Sequence, residues 1–293
     1  MQPHRLFLIN PRSGNRSGSQ LVRQIGRYCT RRQSPFTIRL TPADGNYGAI
    51  AELIQAAGIT QVVICGGDGT ISAVVSALRH LPVCFGIIPR GSGNGLALAA
   101  GISRNPRKAL DIVIRNKPGE VDAVQVNGYF SCMLTGLGFD AVVAHAFDRQ
   151  QQRGFLKYAQ LTLLHFFTMQ PYNFVLDTGS SRFSVKAFFV CIATSNQFGN
   201  HFTIAPQAQL NDGRCDVVVV HACNRLQFLW RVLRHLRYGS THGQRTGIDY
   251  FQSTRLRIEN TDGAPLHIDG DGRPTAASLT VEVLPAAYRL LLP

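Results

Sequence analysis

The sequence predicts an α/β domain followed by a mostly antiparallel β domain. In the first third of the chain, short apolar runs alternate with stretches of helical period, which is typical of a parallel sheet wrapped by helices. Runs such as residues 62–65 and 84–88 are continuously apolar, as expected of strands buried on both faces. After about Lys117 and Pro118, strand patterns outnumber helical ones and turn signals separate them, which indicates a second domain.

The elements of the first domain follow from these apolar runs. Each run is bounded by Gly, Pro, Asn or Asp, and helical periods follow at residues 47–57 and 71–78. The predicted strands are residues 5–10, 36–41, 61–65 and 83–88.

In the second domain, apolar runs separated by the segments VNGY, DTGS, NDGR, NTDG and GDGR predict mostly antiparallel strands. They are residues 120–126, 129–135, 172–177, 182–193, 215–221, 255–259, 279–284 and 288–292. Helical patterns occupy residues 155–169 and 226–238. No internal repeat is present, which disfavours a solenoid or propeller.

Composition limits the function classes. With 45% hydrophobic and 16% charged residues, the 293-residue chain can bury a core, so global disorder is excluded. No apolar run reaches the length of a bilayer, and the first residues lack the pattern of a signal peptide, so the expected location is the cytoplasm. The net charge of +13 suits nucleic acid, an anionic membrane surface or a phosphorylated substrate without choosing among them.

Cysteine and histidine spacing gives little support for a structural zinc site. The seven Cys residues contain no C-x-x-C pair, and the nine His residues show no H-E-x-x-H motif. Most of the cysteines are therefore expected to be small buried side chains.

Three glycine-rich segments, residues 10–14 (NPRSG), 66–70 (GGDGT) and 89–94 (PRGSGN), stand directly after predicted strands. The carboxyl ends of parallel strands meet at one sheet edge, where such folds bind ligands. Glycine lets the backbone approach a phosphate, and the amides that open the following helices supply donors. The three segments therefore predict a phosphate site.

The spacing G-x-x-x-x-G-K-[ST] and the spacing G-x-G-x-x-G are both missing, which disfavours Walker-type NTPases and Rossmann dehydrogenases.

Charged side chains accompany these segments. Asp68, between two glycines, can hold Mg²⁺ through water, orient a ribose or phosphate, or brace its own turn. Arg12, Arg16 and Arg90 are candidates to neutralise phosphate charge, with ordinary solvated arginines as the alternative.

At this point the sequence resembles a known family. The segments NPRSG, GGDGT and PRGSGN followed by GLALAAGI are similar to those of the diacylglycerol kinase catalytic family, which includes bacterial lipid kinases and sphingosine kinases. The resemblance continues through TGLGFDAVV (residues 135–143), residues 196–220 and HIDGDG (residues 267–272), so it covers nearly the whole chain.

The resemblance implies two domains with ATP in the cleft between them. Residues 1–119 would form an α/β nucleotide-binding domain like that of NAD kinases, to which residues 286–293 return. Residues 120–285 would form an antiparallel, β-sandwich-like domain that carries the lipid pocket. The family's nucleotide contacts carry over onto Asn10, Ser13, Gly14, Thr41, Gly66, Gly67, Asp68, Gly69, Thr70, Gly91, Ser92, Gly93 and Asn94.

Two departures from the family pattern affect the expected chemistry. Residues 91–96 (GSGNGL) are closer to the sphingosine kinase type than to the G-T-x-N-D pattern of many bacterial members, which leaves the acceptor lipid open. The family's late D-G-E is Asp269-Gly-Asp271 here, so the second carboxylate is one methylene shorter. Asp269 is the expected base with Asp271 in reserve and Asp68 as a third catalytic residue, while a plain Asp-Gly hairpin turn is the alternative.

Further ligand residues are implied by the resemblance. Asp212, with the carbonyl groups of Leu210 and Arg214, matches a segment that binds a structural Mg²⁺, although an ordinary turn is a close alternative. Asp140 either contacts a lipid head group or caps the helix that starts there. The segment at residues 226–238 is basic and amphipathic, and it either lies on anionic lipid or packs its apolar face on the sheet. The apolar segment at residues 155–167 either walls the lipid pocket or packs as core.

These expectations combine into an ATP- and Mg²⁺-dependent lipid kinase that phosphorylates a diacylglycerol- or sphingosine-like hydroxyl and associates peripherally with an anionic membrane. The alternatives are a kinase of a soluble alcohol related to NAD kinase and a non-catalytic lipid-binding relative. A nucleic-acid-binding protein is a third class, but no basic element interleaved with aromatic residues supports specific nucleic-acid binding. The sequence leaves a homodimer open.

Overall fold

The computed structural model describes residues 3–14, 18–115, 117–150, 155–197, 203–238 and 247–293. They form two compact units, the first comprising Met1–Val121 and Ala286–Pro293 and the second Asp122–Pro285. The expected boundary after residue 119 lies two residues before this division.

The first unit alternates strands and helices along the chain. Each predicted strand of this part begins and ends within one residue of the observed strand. Short apolar runs that are bounded by Gly and Pro strongly favour strands, which explains the agreement. The elements are β1 (Arg5–Ile9), α1 (Gly18–Arg31), β2 (Phe36–Leu40), α2 (Gly48–Ala56), β3 (Gln61–Gly66), α3 (Asp68–Leu78), β4 (Cys84–Pro89), α4 (Gly95–Ala99) and α5 (Pro106–Arg115).

The strands of the first unit form a parallel sheet in the order β4, β3, β1, β2. β3 and β4 are buried along almost their whole length, in agreement with their continuous apolar sequences. The last strand of the chain, β15 (Ser278–Leu291), adds to this sheet through Leu290, which pairs with Phe85 of β4.

The second unit is mostly antiparallel. Its elements are β5 (Pro118–Val126), which begins in the first unit, β6 (Tyr129–Ser131), β7 (Leu134–Gly138), α6 (Phe139–Asp148), α7 (Phe155–Phe166), β8 (Tyr172–Asp177), β9 (Arg182–Ala193), β10 (Cys215–His221), α8 (Arg225–Tyr238), β11 (Ile248–Ser253), β12 (Arg255–Asn260), β13 (Leu266–Ile268), β14 (Asp271–Arg273) and the first part of β15.

The long strand β9 organises this unit. It pairs with β7, β8 and β10, all antiparallel, and β10 pairs in turn with β11. β8 continues through β12 to β15, while β7 continues through β13 to β14. A core of Val, Leu, Ile and Phe side chains from these strands is almost fully buried, so the unit has a hydrophobic interior of its own.

Two strand predictions were wrong in detail. The run at 129–135 is two strands, since the chain bends at Cys132 and Met133 between β6 and β7. The runs at 279–284 and 288–292 are one strand, β15, in which Ala286 has a φ of +50°. The strand therefore changes direction at Pro285–Ala286 without ending.

The remaining elements match or add to the expectations. The predicted helices at 155–169 and 226–238 are α7 and α8, and the helix expected to start near Asp140 is α6. Six elements were given no range from the sequence: α1, α4, α5, β11, β13 and β14. Among the described residues, no helix is long and apolar enough to cross a membrane.

Candidate active site

The three glycine-rich segments of the first unit start at the same edge of its sheet. Ile9 of β1 is level with Cys65 of β3, and Cys65 is level with Ile88 of β4. Since the strands are parallel and end together, the loops that follow them must lie side by side. The prediction that the three segments lie at one edge of the sheet is therefore confirmed.

The first and second loops are joined by side chains. Asn10 Nδ2 donates a hydrogen bond to Thr70 Oγ1 at 2.7 Å, and the Asn10 backbone amide donates to the Cys65 carbonyl at 3.1 Å. On the other side, the Thr41 amide donates to the Ile9 carbonyl at 3.0 Å, which holds the residue after β2 against the end of β1. Asn10 thus connects the start of one loop to the first turn of α3.

The first and third loops are joined by Arg90. Its Nε and Nη2 atoms donate to the Ser13 carbonyl at 3.1 and 2.9 Å. Gly14 follows with a φ of +81°, and a Cβ at that position would lie 3.2 Å from the Arg90 carbonyl oxygen. Arg90 therefore braces the loops themselves. Arg12 is exposed, and Arg16 lies outside the described residues.

The second and third loops touch through their backbones. A Cβ at Gly67 would lie 2.9 Å from the Gly91 Cα atom, and a Cβ at Gly91 would lie 2.6 Å from the Gly67 Cα atom. A Cβ at Gly66 would lie 2.6 Å from the Thr70 side chain. Only glycine permits this approach, because any side chain would force the two loops apart.

The third loop is closed by Asn94. This buried residue adopts a left-handed conformation with φ +54° and immediately precedes α4. Its Oδ1 atom accepts from the Gly91 amide and its Nδ2 atom donates to the Gly91 carbonyl, both at 2.7 Å. The Gly93 carbonyl accepts from Arg104 Nη2 at 2.8 Å. Asn94 thus fixes the loop around Ser92 and Gly93.

Asp68 begins helix α3, and Gly69 and Thr70 complete its first turn. The first amides of a helix lack intrahelical acceptors and carry partial positive charge, which suits a phosphate. The Asp68 carboxylate accepts from the Leu96 amide at 3.3 Å, so it also braces the start of α4. The Asp68 carboxylate also supplies a hard oxygen donor of the kind that Mg²⁺ takes.

In the second unit, Asp269 and Gly270 form the two-residue turn of a hairpin. Ile268 of β13 pairs with Asp271 of β14, and φ is +50° at Asp269 and +88° at Gly270. Two consecutive positive φ values are the mark of a tight hairpin turn for which Asp-Gly is a preferred sequence. The hairpin reading of this segment is therefore correct as structure.

The Asp269 carboxylate holds the bend between β6 and β7. Its Oδ1 atom accepts from Ser131 Oγ at 2.7 Å and from the Met133 and Leu134 amides at 3.0 and 3.1 Å. Its Oδ2 atom accepts from the Cys132 amide at 3.0 Å. All four donors belong to the bend between β6 and β7, so the Asp269 side chain orders the backbone there.

Asp271 has a different environment. Its side chain is 53% exposed, and the Arg273 guanidinium lies beside it, with Nη2 3.9 Å from Oδ2. The Arg273 guanidinium carbon lies 5.2 Å from the centroid of the Tyr129 ring, a cation–π geometry that holds the arginine beside the turn. Of the two carboxylates, Asp271 is exposed to solvent and Asp269 is buried.

A buried pair, Asp140 and His267, lies behind the turn. His267 Nδ1 accepts from the Gly270 amide at 3.2 Å, so the ring proton is on Nε2, which faces Asp140 Oδ2 at 3.2 Å. Asp140 lies within the first turn of α6, after the helix start at Phe139, and Oδ1 accepts from the Ala141 amide. Gly136 leaves room for the pair, since a Cβ there would lie 1.8 Å from Asp140 Oδ2. Asp140 is 7% exposed, and its contact with a head group stays a prediction.

The expected metal segment is a turn after residue 209. Asp212 Oδ1 accepts from the Arg214 amide at 3.1 Å, Oδ2 accepts from Gln252 at 3.2 Å, and the Leu210 carbonyl accepts from the Asp122 amide at 2.7 Å. These are oxygen ligands of the kind that Mg²⁺ takes. Among the residues that the structure describes, no three His, Cys, Asp or Glu side chains form a metal cluster. A cation here would therefore need carbonyl groups and water.

Buried acid and phenol groups stand next to this turn. Asp216 is buried and accepts from Tyr250 Oη at 2.5 Å. Burial raises the pKa of Asp216 above its ordinary value, and burial together with the Asp216 carboxylate raises the pKa of Tyr250. The pair anchors the start of β10 to β11.

Several contributors to these sites were not identified from the sequence. Ser131, Cys132 and Met133 meet Asp269 across more than 130 residues, and His267 and Arg273 carry no motif of their own apart from their position beside the turn. Only the pairing of β13 with β7 and β14 brings them together.

Comparison with known proteins identifies both parts of the chain. Residues 4–126 match the model of the diacylglycerol kinase catalytic domain, and residues 134–292 match that of the YegS C-terminal NAD kinase beta sandwich-like domain. The crystal structure of a diacylglycerol kinase from Bacillus anthracis strain Sterne superimposes with a TM-score of 0.77 at 16% identity, over 99% of this chain and 97% of that one. A second structure from the same strain gives a TM-score of 0.82 at 16% identity, over 99% and 96%. These likenesses establish the fold.

Relatives of known family give the same result. A protein of Chromohalobacter salexigens named "probable lipid kinase YegS-like" is 26% identical over 80% of this chain and 77% of its own length. One of the same name from Yersinia pestis is 26% identical over 99% and 97%. The α/β and β-sandwich-like fold classes are thereby confirmed, and the chain belongs to the lipid kinase family that joins a diacylglycerol kinase catalytic domain to a YegS-type C-terminal domain.

Proposed function

We propose that this kinase transfers the γ-phosphate of ATP to the hydroxyl group of a lipid. The observation that carries the proposal is the convergence of the three glycine loops in the first unit, where Asn10 contacts Thr70, Arg90 contacts Ser13 and Gly67 contacts Gly91. The loops combine close backbone approach with the start of α3, which are the two requirements of a phosphate site.

Asp68 and the amides of the α3 start are the residues that we assign to the nucleotide phosphates. The contact between Gly67 and Gly91 holds the second and third loops together, so that their backbones form one continuous surface beside the start of α3. Mg²⁺, when bound, would neutralise charge on the phosphate oxygens. Asp68 is the residue that would hold it, since its carboxylate stands among groups that otherwise favour anions.

A second magnesium position is proposed at the 210–214 turn. Asp212 and the carbonyl groups of Leu210 and Arg214 supply hard oxygen ligands, and the turn is fixed by Asp122, whose Oδ2 atom accepts from the Gly213 amide at 2.7 Å. A cation there would stabilise the turn without taking part in the transfer.

For the proton acceptor the geometry favours Asp271 over Asp269. Asp269 is saturated with donors from Ser131 and three amides, whereas Asp271 is half exposed on the same turn. The lipid hydroxyl oxygen forms a bond to the γ-phosphorus, the bond from that phosphorus to the bridging oxygen of ADP breaks, and the hydroxyl proton passes to the Asp271 carboxylate. Arg273, beside Asp271, is suited to offset the charge of the transferred group.

The acceptor that we propose is a diacylglycerol- or sphingosine-like lipid. Support comes from the names of the relatives, which are called lipid kinases, and from that of the Bacillus anthracis protein, which is called a diacylglycerol kinase. Asp140 is buried and contacts His267, so we assign to it the support of the turn through His267. Because such substrates reside in membranes, we also propose peripheral contact with an anionic membrane surface, which agrees with the net charge of +13.

The test is transfer of radiolabelled γ-phosphate from ATP and Mg²⁺ to mixed micelles that contain diacylglycerol, monoacylglycerol, sphingosine or ceramide. The wild-type protein should label one lipid class, and Asp271→Asn should reduce the rate by about 10²-fold or more, the usual contribution of a general base. Glu52→Gln, an exposed site on α2, is the matched control and should leave the rate unchanged. Absence of label in every lipid, together with label in a soluble alcohol, would overturn the proposal.

A further inference from the structure

Helices α7 and α8 of the second unit carry an unusual share of exposed apolar side chains. Of the nine large hydrophobic side chains that are exposed among the described residues, six belong to α7, the turn after it, or α8. The six, here called the α7–α8 surface, are Leu163, Leu164, Phe167, Leu226, Leu229 and Trp230. The other three are scattered at Val22, Leu40 and Tyr129.

An aromatic cluster fixes the faces that the two helices expose. Phe228 of α8 is buried and packs against Phe166 of α7 with ring centroids 5.8 Å apart. Its ring also lies 5.2 to 6.4 Å from the rings of Phe139, Phe188 and Phe189. Leu226, Leu229 and Trp230 have i, i+3, i+4 spacing and so share the helix face opposite Phe228. The packing that buries Phe228 therefore directs these residues to solvent.

The charges of both helices have one sign. Neither α7 nor α8 contains an Asp or Glu, while α7 contains one Lys and α8 contains four Arg. Arg225 is exposed at the start of α8, next to Leu226, which is 82% exposed. Exposed Leu and Trp beside basic residues and without acidic residues is the pattern of a helix that lies in the interface of an anionic bilayer.

We propose that the α7–α8 surface inserts into the headgroup region of an anionic lipid bilayer. This inference rests on the proposed function, because the lipid acceptor of the kinase lies in that bilayer. A second copy of the chain is a poorer partner for this surface, since two chains of charge +13 would meet through their basic helices. An anionic bilayer instead pairs the arginines with lipid headgroups and covers the apolar side chains.

Trp230 gives a direct test, because it is the only tryptophan of the chain and belongs to the surface. Its fluorescence should shift to shorter wavelength on mixing with vesicles of phosphatidylcholine and phosphatidylglycerol, and brominated lipids should quench it. Vesicles of phosphatidylcholine alone should produce a much smaller shift, and added salt should reverse binding to the anionic vesicles. No shift with anionic vesicles would overturn the proposal.

Flotation with the same vesicles tests the surface by substitution. Leu226→Gln combined with Leu229→Gln, and Leu163→Gln combined with Leu164→Gln, should each weaken binding about tenfold or more, since apolar burial supplies much of interfacial affinity. Val22→Gln, at an exposed apolar site on α1, should bind like the wild type. Equal binding by all variants would overturn the proposal, as would wild-type dimers that these substitutions dissociate while vesicle binding persists.

Activity in detergent-dispersed substrate separates this inference from the proposed function. The α7–α8 variants should phosphorylate lipid in mixed micelles at close to the wild-type rate and lose activity only on vesicles. A wild-type protein that binds anionic vesicles but labels no lipid in either form would contradict the proposed function and leave the membrane surface standing.

Discussion

His267 Nδ1 accepts a hydrogen bond from the backbone amide of Gly270 at 3.2 Å, so a fully buried imidazole fixes the turn that carries Asp269 and Asp271. The opposite ring nitrogen faces the Asp140 carboxylate at 3.2 Å. The ring accepts at Nδ1 and donates at Nε2, and substitutions can test these two roles separately. Asn reproduces the position of Nδ1, and Gln reproduces that of Nε2.

We expect His267→Asn to preserve more activity than His267→Gln. The Asn variant keeps an acceptor for the Gly270 amide, whereas the Gln variant keeps only the contact to Asp140 and frees the turn. The Gln variant should lose about tenfold or more in kcat with little change in the KM for ATP, since misplacement of a reacting group by about 1 Å can cost 10²-fold. Steady-state kinetics measures the difference, and equal activity in both variants would remove the positioning role.

Asp269→Asn should destabilise the protein. The carboxylate accepts hydrogen bonds from Ser131 Oγ and from the amides of Cys132, Met133 and Leu134. An Asn side chain would present an NH₂ group, which cannot accept, to some of these donors. Hydrogen bonds to a charged group contribute about 1.5–3 kcal/mol, so the free energy of unfolding should fall by about 3 kcal/mol. Urea unfolding followed by circular dichroism measures this. Wild-type stability combined with loss of transfer would instead identify Asp269 as the base.

The cysteines should show strongly unequal reactivity. Six of the seven are buried and Cys223 is partly exposed. Burial raises the pKa of Cys65 and Cys215 to about 12 and that of Cys84 to about 11, which suppresses the reactive thiolate. At pH 8 a thiol reagent should label one cysteine of the native chain quickly and seven after unfolding. Cys223→Ser should abolish the fast phase, and several fast thiols in that variant would contradict the assignment.

The same shifts predict a pH dependence of stability. A thiol whose folded pKa lies above its unfolded value keeps its proton longer in the folded state, so the unfolded state ionises first as pH rises. The free energy of unfolding should therefore decline from about pH 9 upward, toward the folded values of about 11 to 12. Urea midpoints measured across this range check the trend, and Cys65→Ala should reduce its slope.

The sequence predicted best what depends on local patterns. The apolar runs of β1 to β4 and the glycine segments after them placed Asn10, Gly67 and Gly91 at one sheet edge, since strand register and punctuation are both local signals. The long strands β8, β9 and β10 were predicted to the residue, because their apolar content and flanking turns are unambiguous. The short strands β13 and β14 were not, since three residues carry too little pattern.

Contacts between residues that are distant in the sequence could not be predicted. Asp269 resembles an exposed hairpin residue in sequence, and its burial depends on Ser131 and its neighbours, which no local signal connects to it. The same holds for Asp140, which is opposed to His267 only once α6 packs against β13. The roles of Asp269 and Asp271 as alternative bases could thus be listed from the motif, but their environments required the fold.

Gly67→Ala should impair nucleotide binding without unfolding the protein. The added Cβ would lie 2.9 Å from the Gly91 Cα atom, closer than real Cβ contacts, so the second and third loops must move apart. Because Gly91 is itself tied to Asn94 by two hydrogen bonds, the third loop cannot yield freely and the displacement falls on the proposed phosphate site. We expect the affinity for a fluorescent ATP analogue to fall about tenfold or more, in line with the loss of about 1.4 kcal/mol per factor of ten.

Gly26→Ala is the matched control, because that glycine lies within α1 with nothing within 4 Å of an added Cβ and should gain helix stability instead. Equal nucleotide affinity in the two variants would show that the loop contact is not part of the nucleotide site, since the steric change at Gly67 is unavoidable.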